Sequence, residues 1–137
     1  MIINAKNLIL GRLASFAAKK ALLGEKIDII NCNDAIIIGR KKLLLEKYKN
    51  KISRVTPIKG PFFPKTPERL VKRTIRGMLP YKQYRGKEAF NNIKCYNDIP
   101  QNLKDKEITN LKKFDVYQTQ NLNFLRVSEI CKQLKGK

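Results

Sequence analysis

Four cations recur at helical spacing near the middle of the chain: Arg69, Lys72, Arg73 and Arg76. A helix advancing about 100° per residue gathers them within an arc of roughly 100°. Leu70, Val71, Ile75 and Met78 fall on the opposite side. Like charges at i,i+3 and i,i+4 destabilise a free helix by a few tenths of a kcal/mol per pair. A row of phosphates reverses that sign. The chemistry on offer is charge-assisted hydrogen bonding to a polyanion, with no bond made or broken. An ordinary solvated face is the competing reading, but such faces usually mix signs, and this one has cations only.

The segment ahead of the strip is Lys59-Gly60-Pro61-Phe62-Phe63-Pro64-Lys65. Glycine lets a backbone approach a phosphate closely, and prolines limit the entropy lost on ordering. Phe62 or Phe63 can stack on a base; core packing competes for them and is expected to claim at least one. From Lys51 to Lys87 there are eleven basic residues and one acid, Glu68, within a chain of 137 residues and net charge +19. So concentrated a charge needs a polyanion nearby, and nucleic acid fits better than an anionic membrane surface. The candidate contacts are Arg12, Arg54, Lys59, Gly60, Phe62, Lys65, Arg69, Lys72, Arg73, Arg76, Gly77, Lys82, Arg85 and Lys87.

Catalysis is not expected. There is no histidine to serve as general base, and neither GxGxxG nor GxxxxGK[ST] occurs. Asp28, Asp34 and Glu46 are the acids a magnesium-dependent nuclease would need, but acids interspersed among lysines usually serve as surface charges or caps. Cys32, Cys95 and Cys131 lie far apart, in odd number and without CxxC spacing. They read as three small buried thiols in a reducing compartment, with no metal and no cofactor. The longest pure apolar runs are four residues, such as Ala35–Ile38, so no membrane span is expected. Residues 1–24 lack acids and carry Lys6, Arg12, Lys19 and Lys20, as mitochondrial presequences do. A first helix from Gly11 to Leu23, stopped by Gly24, accounts for them better.

These residues must be positioned by a single domain. Met1–Ile3 reads as extended. Lys26–Asn31 and Ala35–Ile38 read as strands, nearly continuous in apolar character, which suits a parallel sheet covered on both faces. Gly39 opens a helix running to about Lys49. Residues 52–66 form a long basic loop. Thr66 and Pro67 start a helix reaching Leu79 before Pro80. A short helix over Tyr84–Asn92 and a strand over Ile93–Tyr96 follow. Beyond Pro100 the pattern weakens until Ser128, which caps a last helix ending near Gly136. Alternating strands and helices argue for an α/β domain.

Arg73-Thr74-Ile75-Arg76-Gly77-Met78-Leu79-Pro80 resembles the universal large-subunit ribosomal protein thirteen family. Four further segments match it in order: Leu10-Gly11-Arg12-Leu13-Ala14-Ser15, Glu46-Lys47-Tyr48, Gly60-Pro61-Phe62-Phe63-Pro64-Lys65 and Arg85-Gly86-Lys87-Glu88-Ala89-Phe90. The likeness is close over residues 4–100 and loose over 101–137, and the short C-terminus is similar to archaeal members. Gln83-Tyr84 departs toward less polar character. The resemblance implies a three-layer α/β/α fold around a mostly parallel, four-stranded sheet. It also implies a structural protein of the cytoplasmic ribosome that binds large-subunit ribosomal RNA early in assembly, beside neighbouring ribosomal proteins. No membrane and no small-molecule substrate is implied. A free RNA-binding regulator of translation is the alternative.

Overall fold

The computed structural model describes residues 1–136. The elements run β1 (Ile2–Asn4), α1 (Leu10–Leu22), β2 (Ile27–Ile30), β3 (Ile36–Ile38), α2 (Lys41–Ser53), α3 (Pro67–Gly77), α4 (Tyr84–Asn91), β4 (Ile93–Cys95), β5 (Phe124–Arg126) and α5 (Val127–Lys135). β1, β2 and β4 form a parallel sheet in that order, with Ile3 opposite Ile29 and Ile29 opposite Cys95.

Strand periodicity decides what the sheet buries. Ile3, Ile27, Ile29 and Ile93 share one face and are fully buried. They pack with Leu13, Ala14 and Ala17 of α1, with Leu70, Val71 and Ile75 of α3, and with Ala89 of α4. Ile2 and Ile30, on the other face, are covered by Leu103, Tyr96 and Ile108. The alanines of α1 let α3 and α4 approach it closely, and both pack on it.

The α/β class and the mainly parallel sheet follow expectation, with a more economical build. Three strands pair fully, and a fourth position is a single parallel bridge from Ile3 to Thr109. The far face carries a short 3-10 turn, Gln101–Leu103. The Ala35–Ile38 run is not in the parallel sheet. Its strand β3 pairs antiparallel with β5, Ile36 facing Arg126 and Ile38 facing Phe124. Only Ile36 of this strand is fully buried; Ile37 and Ile38 are half-buried, so the uninterrupted apolar run overstated the cover. Arg126 donates to Asp34 at 2.9 Å beside this pair.

Helix ends moved too. α2 continues to Ser53 because Ile52 packs against Leu44, Ile130 and Leu134, which shortens the loop to residues 54–66. α5 begins at Val127 with Arg126 as its N-cap, so Ser128 lies inside the helix and caps nothing. Thr66 occupies the N-cap of α3, yet its hydroxyl makes no cap bond. The Glu68 N–H donates instead to Asn97 Oδ1 at 3.1 Å, a cap supplied by the loop after β4. α3 ends at Gly77, so Met78 escapes the buried arc and is exposed, and Leu79 is buried in its place.

Gly86 has a packing reason. A Cβ there would run into the Pro80 carbonyl, because the first turn of α4 lies directly on the turn that ends α3. That turn is held by the Gln83 N–H donating to Pro80 O at 2.9 Å.

Candidate nucleic-acid interface

α3 separates its two faces as its sequence requires. Leu70, Val71 and Ile75 are buried, whereas Arg69, Arg73 and Arg76 are exposed and Lys72 is half-exposed. Glu68 sits in the first turn, where the helix dipole favours an anion, and leaves the strip itself cationic.

The cations stand on aromatic rings. The Arg73 guanidinium lies 4.6 Å from the Phe63 ring centre, and its Nη1 donates to Phe62 O at 3.5 Å. Lys72 Nζ lies 4.8 Å from the Phe90 ring, and Arg76 lies 5.2 Å from the Tyr81 ring. Lys51 Nζ is shared between Tyr48 at 5.2 Å and Phe63 at 5.7 Å, and those two rings pack at 5.8 Å. Cations within about 6 Å of a ring are attracted by its quadrupole. This holds the heads outward with less rotamer freedom to lose on binding.

Among the described residues, the ion pairs are Lys20–Glu25 and Arg126–Asp34. No candidate contact belongs to either. Crowding is visible at Lys51, whose pKa falls below the ordinary lysine value through burial first, then through Lys47 and Arg73. Burial lifts the neighbouring Tyr48 hydroxyl.

Two open grooves flank the strip. One, of about 270 Å³, is lined by Phe62, Pro64, Arg69, Lys72, Arg73, Arg76 and Phe90. The other is lined by Glu68, Arg69, Lys72, Lys94, Cys95 and Tyr96. Arg69 and Lys72 thus face both. Gly77 lines a third concavity with Tyr48, Lys51, Phe63 and Arg73.

Phe62 and Phe63 differ in exposure. Phe63 is half-buried under Arg73, and Phe62 is 69% exposed. Gly60 has φ +69, a left-handed conformation that suits glycine, and a Cβ there would stand 3.3 Å from the Phe62 ring.

The remaining candidates are less concentrated. Lys65 faces a mainly apolar groove with Lys49, Ile52 and Leu134, away from the strip. Arg12, Arg54, Lys59, Lys82, Arg85 and Lys87 are exposed but line none of these grooves. Gln83 and Tyr84 are exposed at the start of α4.

Sequence reasoning missed Phe90, Tyr81, Tyr48, Lys51 and Lys94 as parts of this surface. Tyr48 and Lys51, three apart on α2, were accessible had that helix been drawn to its true end. Lys72 over Phe90 and the placement of Lys94 come from tertiary packing, which no spacing records.

The cysteines are free, and Cys32 and Cys131 are buried. The fold brings Cys32 beside Cys95, since the Cys32 N–H donates to Tyr96 O at 3.1 Å. The Cys32 thiol donates to Ile29 O at 3.7 Å and is pushed upward by the neighbouring Cys95 thiol and by burial, and burial raises Cys131 to about 11. Among the described residues, no group of three or more cysteines and carboxylates is placed to hold a metal ion, and no helix is long and apolar enough to cross a membrane.

Comparison with known proteins gives one answer. The sequence pattern of the ribosomal protein L13 family matches residues 1–102. The chain is 40% identical over 137 residues to the large ribosomal subunit protein uL13 of Methanosarcina barkeri, covering 99% of this chain and 98% of that one. It is 38% identical over 135 residues to the protein of that name from Thermoplasma volcanium, covering 98% of each. Against the Archaeoglobus fulgidus protein the identity is 42% over 111 residues, covering 81% of this chain and 71% of that one. With the match spanning the sheet, the cationic helix and α4, the chain belongs to the ribosomal protein L13 family.

Proposed function

We propose that the exposed face of α3, with the loop over residues 54–66, binds large-subunit ribosomal RNA directly and fixes the chain in the subunit early in assembly. As a family member the chain is a structural constituent of the large ribosomal subunit, found with the ribosome in the cytoplasm, and not an enzyme. The observation that carries the RNA reading is the strip itself: four cations of one sign, none in an ion pair among the described residues, three of them seated on rings. Such a surface is costly to a protein alone and is neutralised by phosphates. Arg12, Arg54, Lys59, Lys65, Lys82, Arg85 and Lys87 serve as outlying phosphate contacts, while Gly60 and Gly77 let RNA approach the backbone. Neighbouring ribosomal proteins meet the surfaces that RNA leaves free.

The test is binding to a large-subunit ribosomal RNA fragment across a salt series. Six to ten phosphate contacts give a slope of log affinity against log salt of roughly −4 to −9. A slope shallower than about −2 would defeat the reading. Early action is checked by omitting the chain from stepwise reconstitution: later proteins should then fail to join, and normal assembly without it would contradict the assembly role.

A further inference from the structure

We infer that the groove between Phe62 and Phe90 receives one unpaired base of the RNA, stacked on the Phe62 ring, while Arg69, Lys72, Arg73 and Arg76 hold the phosphates on either side. This rests on the RNA-binding reading above and specifies its ligand as an unstacked nucleotide within the strand, not continuous duplex.

Three observations carry it. Phe62 is 69% exposed although it is large and apolar, and it lines the groove that holds all four cations of α3. An exposed aromatic beside phosphate-binding groups is the arrangement on which bases stack. Second, the ring is positioned on both its backbone and its side chain. Arg73 Nη1 donates to the Phe62 carbonyl at 3.5 Å, and left-handed Gly60 leaves the room the ring occupies. Third, the groove is open to solvent, at about 270 Å³, so a flat ring can enter it while its nucleotide stays joined to the strand on both sides.

Duplex RNA does not meet these features. Its bases are stacked within the helix and its major groove is too deep and narrow for side chains to read. A bulged or looped nucleotide exposes both a π-face for Phe62 and an irregular backbone for the arginines. Stacking is tolerant of base identity, so the site selects an unpaired nucleotide without selecting its sequence.

The experiment compares two short RNA hairpins of equal charge, each closed by a non-nucleotide linker in place of a loop, one fully paired and one carrying a single bulged fluorescent purine analogue. The full chain should bind the bulged hairpin roughly fivefold to a hundredfold more tightly and change the fluorescence of the analogue. Phe62→Ala should abolish that preference and the fluorescence change, lowering affinity for the bulged hairpin to that for the paired one; Phe62→Trp should retain both. Equal binding of the two hairpins by the wild-type chain, or a preference that survives Phe62→Ala, overturns the base site and leaves phosphate binding by α3 standing. Failure to bind either hairpin at low salt overturns the base site together with the RNA-binding reading beneath it.

Discussion

α2 and α3 are both rich in basic residues, and α2 has the greater number: Lys41, Lys42, Lys47, Lys49 and Lys51 against Arg69, Lys72, Arg73 and Arg76. Their architecture differs. α2 buries only Leu44, and its cations are spread around the helix with Glu46 among them. α3 buries Pro67, Leu70, Val71 and Ile75 and keeps its cations on one side, over Phe63, Phe90 and Tyr81. Charge count alone therefore does not single out the face proposed to bind RNA. What sets α3 apart is separation of charge from core on a helix anchored to the sheet, with aromatic seats supplied from elsewhere. α2 is a solvated helix that lends Tyr48 and Lys51 to the edge of that face.

The anchoring half of this comparison predicts the largest effect. Ile75→Ala should cost about 2–5 kcal/mol of unfolding free energy, because Ile75 is fully buried under the sheet. Leu43→Ala on α2, a 59% exposed position, should stay within about 0.5 kcal/mol. Denaturant unfolding of both variants decides whether the helices differ as described; equal losses would erase the distinction.

Gly86→Ala comes next, at about 1–3 kcal/mol. Its Cβ meets backbone, the Pro80 carbonyl, which cannot swing aside as a side chain can. A thermal melt unchanged by this substitution would mean that α4 is free to move off the end of α3.

The Asp34–Arg126 pair, away from both helices, should matter less. Its side chains are 34% and 40% exposed, so Asp34→Asn should cost about 0.2–1 kcal/mol, more at low salt than at high. A loss that ignores salt would assign the role to hydrogen bonding rather than charge.

The effect that is smallest at neutral pH, and shows only in alkaline solution, is on pH dependence. The Cys131 thiol rises from 9.0 to about 11 on folding. The folded protein therefore holds this proton where the unfolded chain has released it. The contribution is complete below pH 9 and is lost as pH rises toward 11. In urea unfolding across that window, Cys131→Ala should decline less steeply with pH than wild type. Parallel curves would mean the thiol is not the group responsible.

Much of the fold was legible where one face of an element is uniformly buried. α1, α3, α4, β2 and β4 all start or end within two residues of where hydrophobic period, Pro67 and the glycines put them. What escaped depended on partners remote in sequence. The cap on α3 is Asn97 rather than Thr66, β5 is three residues long in a polar stretch, and the sheet in which β3 lies was set by β5. The candidate site shows the same division. The cationic arc could be drawn from spacing alone, because a helix fixes it. Which phenylalanine is exposed, and which rings lie beneath Lys72 and Arg76, is fixed by how the 54–66 loop and α4 fold back on α3.

The contrast between the two helices is tested most directly by removing two charges from each and measuring the salt dependence of binding to the ribosomal RNA fragment. Glutamine keeps helix propensity close to that of arginine and lysine. Arg73→Gln with Arg76→Gln should weaken binding and make the slope shallower by roughly two units, while the domain stays folded and loses at most about 1–2 kcal/mol, the lost ring contacts partly offset by relief of like-charge repulsion. Lys41→Gln with Lys42→Gln, also exposed, should leave the slope nearly unchanged. Equal loss of slope from both pairs, or an α3 variant that unfolds while each folded molecule binds as before, would contradict the assignment of the α3 face to RNA.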